Sequence, residues 1–459
     1  MGMRTLFSRV AGAGLAIVSL APAPGCRERP PDGTALVGAT LIDGSGGEPL
    51  ANSVVVVRHG LIESAGPRAD FTLPTRTVEV DASGRWIIPG LIDSHAHVAR
   101  WALPRYLAWG VTSVRDVHGT LDSILELRQE VNSGRTAGPR IYCAGAMIDG
   151  VPPTYGDALA AVSSSSARKK VDRLVNDGVD LIKVYTRVDP KLLRSVIDEA
   201  STFNLPVTGH LGLTDAVTAS NAGISSIEHM TGVPEAASRD PSALYAAHRR
   251  GFFAGWTAFE RRWATLDSSS LDGVAKAIAA RSVEIIPTLV LHDTFSRLDD
   301  STVLQDSMLR AVPAAVRARW DITGMIARAG WKEDDFQAFR RSRRNQDLFL
   351  RLFAAAGGRI SAGTDASNQL LIPGYSMHRE LQLLVAAGFT PHDVLLAATR
   401  NGALLLGIDS IGIVAPGKSA DLVILTRDPM GRIQNTLAIE QVMARGILYR
   451  ADSLRASWQ

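Results

Sequence analysis

The sequence predicts an α/β protein: a TIM (β/α)8 barrel with a small β-sandwich domain formed from both chain ends. Two observations carry this expectation. Through the middle of the chain, apolar strand-like runs alternate with helical segments about 20–40 residues apart. At both ends the texture changes to short alternating strands punctuated by Gly, Asn and Asp. A chain of 459 residues is longer than one hydrophobic core usually supports, which agrees with a large barrel plus a second unit. Its apolar share of 46% is too high for disorder. The net charge of +3, with both signs interspersed, gives no electrostatic case for a nucleic-acid partner.

In chain order, residues 1–26 read as a secretory signal: basic Arg4 and Arg9, then the apolar AGAGLAIVSLAPAPG, too short and too Pro/Gly-broken for a membrane span. Cys26, directly after Gly25, resembles the lipid-acceptor cysteine of bacterial lipoproteins. The expected location is therefore exported, periplasmic or outer-surface, with a lipid anchor at Cys26 as the membrane contact. The other cysteine, Cys143, lies in an apolar run; with Cys26 acylated no disulfide is available to it, so stability must come from core burial. Residues 32–85 read as the first part of the sandwich and 406–455 as the second, with the barrel spanning 86–405. The eight strand-like runs are 87–98, 111–118, 140–148, 181–185, 206–211, 225–230, 283–291 and 359–366. Residues 293–358, between the last two runs, form a long helical, Arg-rich insertion. Those arginines suit a solvated helix face, and an insertion on this side of a barrel can also serve as a lid.

The run WIIPGLIDSHAHV ends in His95 and His97. Alternate residues of a strand face one side, so both imidazoles point into the barrel at the rim where this fold keeps its chemistry. Four other strand ends add Lys183 in LIKVY, His210 in PVTGHL, His229 in SIEHM and Asp365 in RISAGTDA. Such convergence of metal-competent and base-competent groups on one rim marks a site.

PGLIDSHAHV, the strand lysine, the two later histidines and GTDA together resemble the amidohydrolase superfamily, specifically its imidazolonepropionase-like and prolidase-like branch. The tail LLAATRNGALLLGIDSIGIVAPGKSADLVILTRDP resembles the stretch that returns the chain to the β-sandwich in these enzymes. The resemblance implies two divalent metal ions, His95, His97 and Asp365 holding one and His210 and His229 the other. It also implies that Lys183, carboxylated by CO2, bridges them, since a protonated lysine has no lone pair to offer. N/O ligation without thiolate suits Zn2+. On this pattern a hydroxide shared by the ions attacks an amide carbonyl, and Asp365, ligand and base, passes its proton to the leaving group.

The favoured small-molecule substrate is a dipeptide of the Xaa-Pro kind or an N-acyl amino acid. A lactonase or phosphotriesterase on the same binuclear site is one alternative. A mononuclear deaminase or an imidazolonepropionase-like cyclic amide hydrolase is another, against which Lys183 argues. Tyr185 shares the face of Lys183 and so points toward the pocket, where the resemblance to prolidase-like members implies contact with a substrate carboxylate; Arg187 follows in TRVD and is expected to pair with that carboxylate bidentately. His118, ending RDVHGT, and His378, in YSMHRE, are further pocket candidates. His59, His248, His292 and His392 read as surface or packing residues. No spacing in the chain reads the leaving group or the oligomeric state.

Overall fold

The computed structural model describes residues 32–456 and 458, so the signal and lipid-acceptor expectations at 1–26 lie outside the described residues. Strands from residues 33–89 and 422–450 meet in one eight-stranded mixed sheet. Gly33–Leu41 pairs antiparallel with Leu50–Arg58 and parallel with Thr77–Asp81 and Trp86–Pro89; the last of these pairs antiparallel with Leu422–Leu425, which carries Ile439–Ala444 and Ile447–Arg450 outward. Strand alternation divides the apolar residues between its faces, Leu36, Val55 and Val57 in one cluster and Ala35, Val54 and Val56 in another.

The first apolar run is two strands rather than one. Trp86–Pro89 belongs to the end sheet and Leu91–Ala96 to the barrel-like unit. The chain changes partners at Gly90, whose N–H donates to the Asp421 carbonyl at 2.8 Å, while Leu91 N–H donates to the Gly110 carbonyl at 2.9 Å. A side chain at Gly90 would place Cβ 2.0 Å from Thr112 Oγ1, so only glycine allows this close crossing.

Beyond Gly90 the fold is TIM-barrel-like α/β. Leu91–Ala96, Val111–Asp116 and Arg140–Cys143 form one parallel sheet. Ile148–Asp149, Ile182–Val184, Val207–Gly209, Ser226–Glu228 and Glu284–Ile286 form a second, with Leu159–Ala160 at its edge. Asp180 N–H joins the two on one side by donating to the Cys143 carbonyl at 2.9 Å. On the other side the run expected as the eighth strand makes isolated bridges, Ile285 to Ile360 and Ala96 to Ala366, rather than a ladder. The seventh run also shortens: its strand ends at Ile286, and Leu289–Ser296 is a helix entered through Thr288 at φ 47°.

Helices fall between the strands as the apolar periodicity predicts, and polar caps fix where they begin. Asp189 accepts from Leu192 N–H at 2.8 Å ahead of Pro190–Thr202, and Asp215 accepts from Thr218 N–H at 2.9 Å ahead of Ala216–Ala222. The insertion is helical, ending in the 23-residue Glu333–Ala355. Arg340 pairs with Asp299 at 2.8 Å and Arg343 with Asp347 at 2.5 Å, as a solvated face would. Its earlier helix, Ile322–Ala329, sends Met325 and Arg328 to the mouth of the central cavity. Among the described residues no helix is long and apolar enough to cross a membrane.

Candidate metal centre and active site

His95 is the fifth residue of Leu91–Ala96, and His97 lies one past its end. Their Nε2 atoms stand 3.0 and 2.9 Å from the same oxygen, Asp365 Oδ1. One donor atom from each of the three residues lies within 4.8 Å of the others. His229 follows directly on Ser226–Glu228 and His210 on Val207–Gly209. The His95 and His229 ring centroids are 4.4 Å apart and those of His210 and His229 are 4.9 Å apart. Lys183, in the middle of Ile182–Val184, completes the cluster, and all six residues line one cavity of about 380 Å³. His229 and Asp365 adopt φ 57° and 61°, a left-handed turn at the strand end that aims each side chain inward at a cost of about 1 kcal/mol or more apiece.

Hydrogen bonds behind the rings leave their inward nitrogens free as donors. His97 Nδ1–H donates to the His118 carbonyl at 3.0 Å. The Thr288 hydroxyl donates to the Pro287 carbonyl at 2.8 Å, so it accepts from His229 Nδ1–H at 2.6 Å. His95 Nδ1 is held by Glu228 Oε2 at 2.5 Å. In each case the Nδ1 contact turns Nε2 toward the cluster, the arrangement of an imidazole ligand with an outer partner; in His95 and His97 that Nε2 donates to Asp365 Oδ1, a proton a bound cation would displace. Asp93 pins the loop that carries the carboxylate, accepting from Thr364 N–H at 3.0 Å and from its hydroxyl at 2.6 Å.

The charge states agree with a cation site. Burial pushes His210 and His229 well below the usual imidazole range, helped by Lys183 for the first and His95 for the second, so both rings are neutral. Burial also opposes ionisation of Asp365, but its hydrogen bonds to His95 and His97 outweigh it and hold the carboxyl well below normal. Burial lowers and Asp365 raises His97, with Asp365 prevailing at about 9; the shared proton there balances the charge a divalent cation would balance. Lys183 is 2% exposed and, among the described residues, makes no hydrogen bond or ion pair; burial brings its ammonium down to about 8 against the opposing charge of Glu228. Two neutral imidazoles, a carboxylate held ionised among histidines and a buried lysine without a hydrogen-bonding partner fit a divalent-metal site.

His118 and Tyr185 also line the cavity. His118 Nε2 is 3.1 Å from Asp157 Oδ2, and Tyr185 packs 4.7 Å from the His210 ring. Arg187 does not reach it. Its guanidinium turns outward, donating to the carbonyls of Pro152 at 2.6 Å and Arg249 at 3.0 Å, because the strand ends at Val184 and alternation no longer governs position 187. His378 is likewise not a pocket residue. It is buried in the helix Tyr375–Ala386, bonded to Thr436 Oγ1 at 2.9 Å and the Trp109 carbonyl at 3.0 Å, and burial lowers its pKa to about 4.

The structure adds residues that the motifs did not mark. Glu228 carries a charge at 0% exposure inside an apolar strand, an anomaly visible in SIEHM. Asn368 Nδ2 donates to Asp365 Oδ2 at 2.8 Å, and Arg328 on the insertion supplies the guanidinium at the mouth.

A family model described as the amidohydrolase family matches residues 86–448, so this chain belongs to that family. The chain is 27% identical over 403 residues to an imidazolonepropionase of Agrobacterium fabrum strain C58, covering 83% of this chain and 86% of that one. Among solved structures it is similar to a Xaa-Pro dipeptidase with bound methionine in the active site, with a TM-score of 0.67, 19% identity and coverage of 91% and 100% of the two chains. It is similar also to the bottromycin amidohydrolase AH, with a TM-score of 0.71, 23% identity and coverage of 93% and 89%. As a member of that family it is a hydrolase of carbon–nitrogen bonds with a divalent-metal site and a small-molecule substrate.

Proposed function

We propose that this protein hydrolyses an amide bond at a binuclear centre, with a dipeptide or N-acyl amino acid as substrate. The observation that carries the proposal is Lys183: a lysine buried without a partner among the described residues, beside four histidines and an aspartate. Carboxylated by CO2, it becomes an anionic oxygen donor able to bridge two ions. His95, His97 and Asp365 would hold one ion and His210 and His229 the other, with zinc the best match to these donors. Bound there, divalent ions supply a water acidic enough to react near neutral pH and polarise the scissile carbonyl. Asp365 takes the proton from the attacking water and returns it to the leaving nitrogen, which departs poorly as an anion. His118 and Tyr185 orient the substrate from the cavity wall, and Met325 and Arg328 cover the mouth.

The test is hydrolysis by the zinc- and bicarbonate-loaded protein of dipeptides, N-acyl amino acids, lactones and phosphotriesters, with metal counted per chain. Two metals and amide turnover in the wild type, both lost in Lys183→Ala, are expected. Turnover of lactones or phosphotriesters alone would overturn the substrate class, and Lys183→Ala turnover within about threefold of wild type would overturn the bridge.

Arg328 takes over the part that position 187 does not play. Its ion pair with Asp321 at 2.7 Å is more than half exposed on both sides and so holds it weakly, leaving the guanidinium free to trade partners for a substrate carboxylate. Arg328→Gln is expected to raise KM for N-acyl amino acids by about tenfold with kcat nearly constant. An equal rise for the matching substrates with an amidated C-terminus would show that Arg328 does not read the carboxylate.

The division into a two-part end unit at 32–85 and 406–455 and a catalytic unit at 86–405, with 293–358 as a lid, belongs to the same proposal. So does export with a lipid anchor at Cys26, for which palmitate labelling lost in Cys26→Ser is the test.

A further inference from the structure

One wall of the cavity beside His210 and His229 is aromatic. The helix Phe252–Trp263 presents Phe252 and Trp256, four residues apart and therefore on one face. The Phe252 ring centroid is 6.1 Å from that of His210, and Trp256 lies 6.3 Å from both His210 and His229. The two rings stack at 5.9 Å and 27°, and Trp256 stacks in turn on His292 at 5.2 Å and 24°. Phe295 closes the corner edge-on to Trp256 at 5.6 Å.

Ordinary core packing does not require the polar backing this wall has. His292 Nδ1 is bonded to the buried carboxylate of Glu260, whose second oxygen accepts from Gln346 Nε2 at 3.1 Å. The Glu260 carbonyl accepts from the Ser342 hydroxyl, which ties the helix to Glu333–Ala355 of the insertion. On the other side the helix sits directly on His248, itself held by Glu235 at 2.9 Å. A Cβ at Gly255 would fall 2.4 Å from His248 Nδ1, so glycine is what lets the helix seat there. Two buried His–Glu pairs thus fix the helix from both sides while the Phe252 ring is left only partly covered, facing the cavity. A rigid, preformed aromatic surface beside a reaction centre is a recognition element.

Resting on the amide-hydrolase reading above, we propose that Phe252 and Trp256 form a specificity subsite for an aromatic group next to the scissile amide. The substrate is then an N-acyl amino acid or dipeptide with an aromatic ring on its acyl or its amino-acid side. Ring against ring at offset-stacked or edge-on distances is the contact such a wall makes best.

Two matched pairs test this on the metal-loaded full chain: N-acetyl-L-phenylalanine against N-acetyl-L-alanine, and N-benzoylglycine against N-acetylglycine. In at least one pair the aromatic member is expected to have the higher kcat/KM by about 10- to 100-fold, the discrimination an apolar pocket achieves by enclosing one such group. In Phe252→Ala that ratio should fall to about threefold or less. Phe252→Leu, which keeps the bulk and loses the ring, should give an intermediate ratio and stands in if the alanine variant does not fold. Ratios near one in both pairs, or a ratio unchanged in a folded Phe252 variant, would overturn the subsite. If none of the four compounds is hydrolysed, the N-acyl amino acid reading fails while the subsite is decided by binding, read from tryptophan fluorescence. Tighter binding of the aromatic member of either pair, lost in Phe252→Ala, supports it, and equal binding overturns it.

Discussion

Asp365→Asn is expected to lower kcat for an amide substrate by at least about 10³-fold while the chain stays folded. Proton transfer by a placed carboxylate contributes about 10²- to 10⁴-fold, and the substitution also removes the only anionic side chain in the three-residue ligand cluster. Asparagine keeps the volume and one oxygen, so the backbone hydrogen bonds around position 365, which run from its own N–H to the His95 carbonyl at 2.8 Å and from Asn368 N–H to its carbonyl at 3.2 Å, survive. It cannot carry a proton at Oδ2, where Asn368 now donates, nor offer a negative charge to the two Nε2 atoms at 2.9 and 3.0 Å. The measurement is kcat at saturating zinc, alongside metal content by mass spectrometry and a thermal melt. A variant that keeps its metal and turns over within about tenfold of wild type would remove Asp365 from the proton path.

Asp365 was legible in the sequence for a specific physical reason. His95, Lys183, His210, His229 and Asp365 each end an apolar run, and in parallel β/α architecture strand ends converge on one rim, so the sequence alone groups residues scattered over 271 positions. Alternation then fails where strands stop. It places Tyr185 on the cavity, whereas Arg187, singled out for its guanidinium alone, turns out to the carbonyls of Pro152 and Arg249 beyond a strand, Ile182–Val184, only three residues long. Gly90 was hidden for the opposite reason: apolar strands lie on both sides of it, so the change of sheet leaves no break in hydrophobicity. Arg328, Phe252 and Trp256 sit on helices outside the alternating strand pattern, and helical periodicity says which face is apolar but not that the face looks onto a reaction centre. Glu228 depends on partners 113 and 133 positions away, a pairing that no local pattern encodes.

That pairing sets the second large expected effect. Glu228 is fully buried, and its two oxygens serve different masters: Oε2 holds His95 Nδ1 at 2.5 Å, while Oε1 meets Arg115 Nη2 at 2.5 Å and accepts from the Thr208 hydroxyl. Arg115, 3% exposed, is otherwise bonded among the described residues only to the Ser94 carbonyl at 2.6 Å and the Ser226 hydroxyl at 3.2 Å, both neutral. Glu228→Gln therefore leaves a guanidinium buried without a counter-charge, a change that costs about 3–5 kcal/mol and on the order of 5–10 °C in Tm. It also weakens the hold on His95, for which the expected loss is about 10- to 100-fold in metal affinity. The two effects separate in a double variant. Arg115→Met with Glu228→Gln removes the stranded charge and should recover most of the stability, since a buried ion pair replaced at both ends is often neutral. Metal affinity should stay low, because Met restores nothing to His95. Recovery of both together would mean that the pair acts on the metal site only through the fold; a single variant within about 1 °C and twofold of wild type would mean that Glu228 holds neither. The expected split assigns this buried charge to the ligand geometry rather than to stability, the reason an acid sits on a strand whose neighbours, Ile227 and Ile285, are what a dry core would choose.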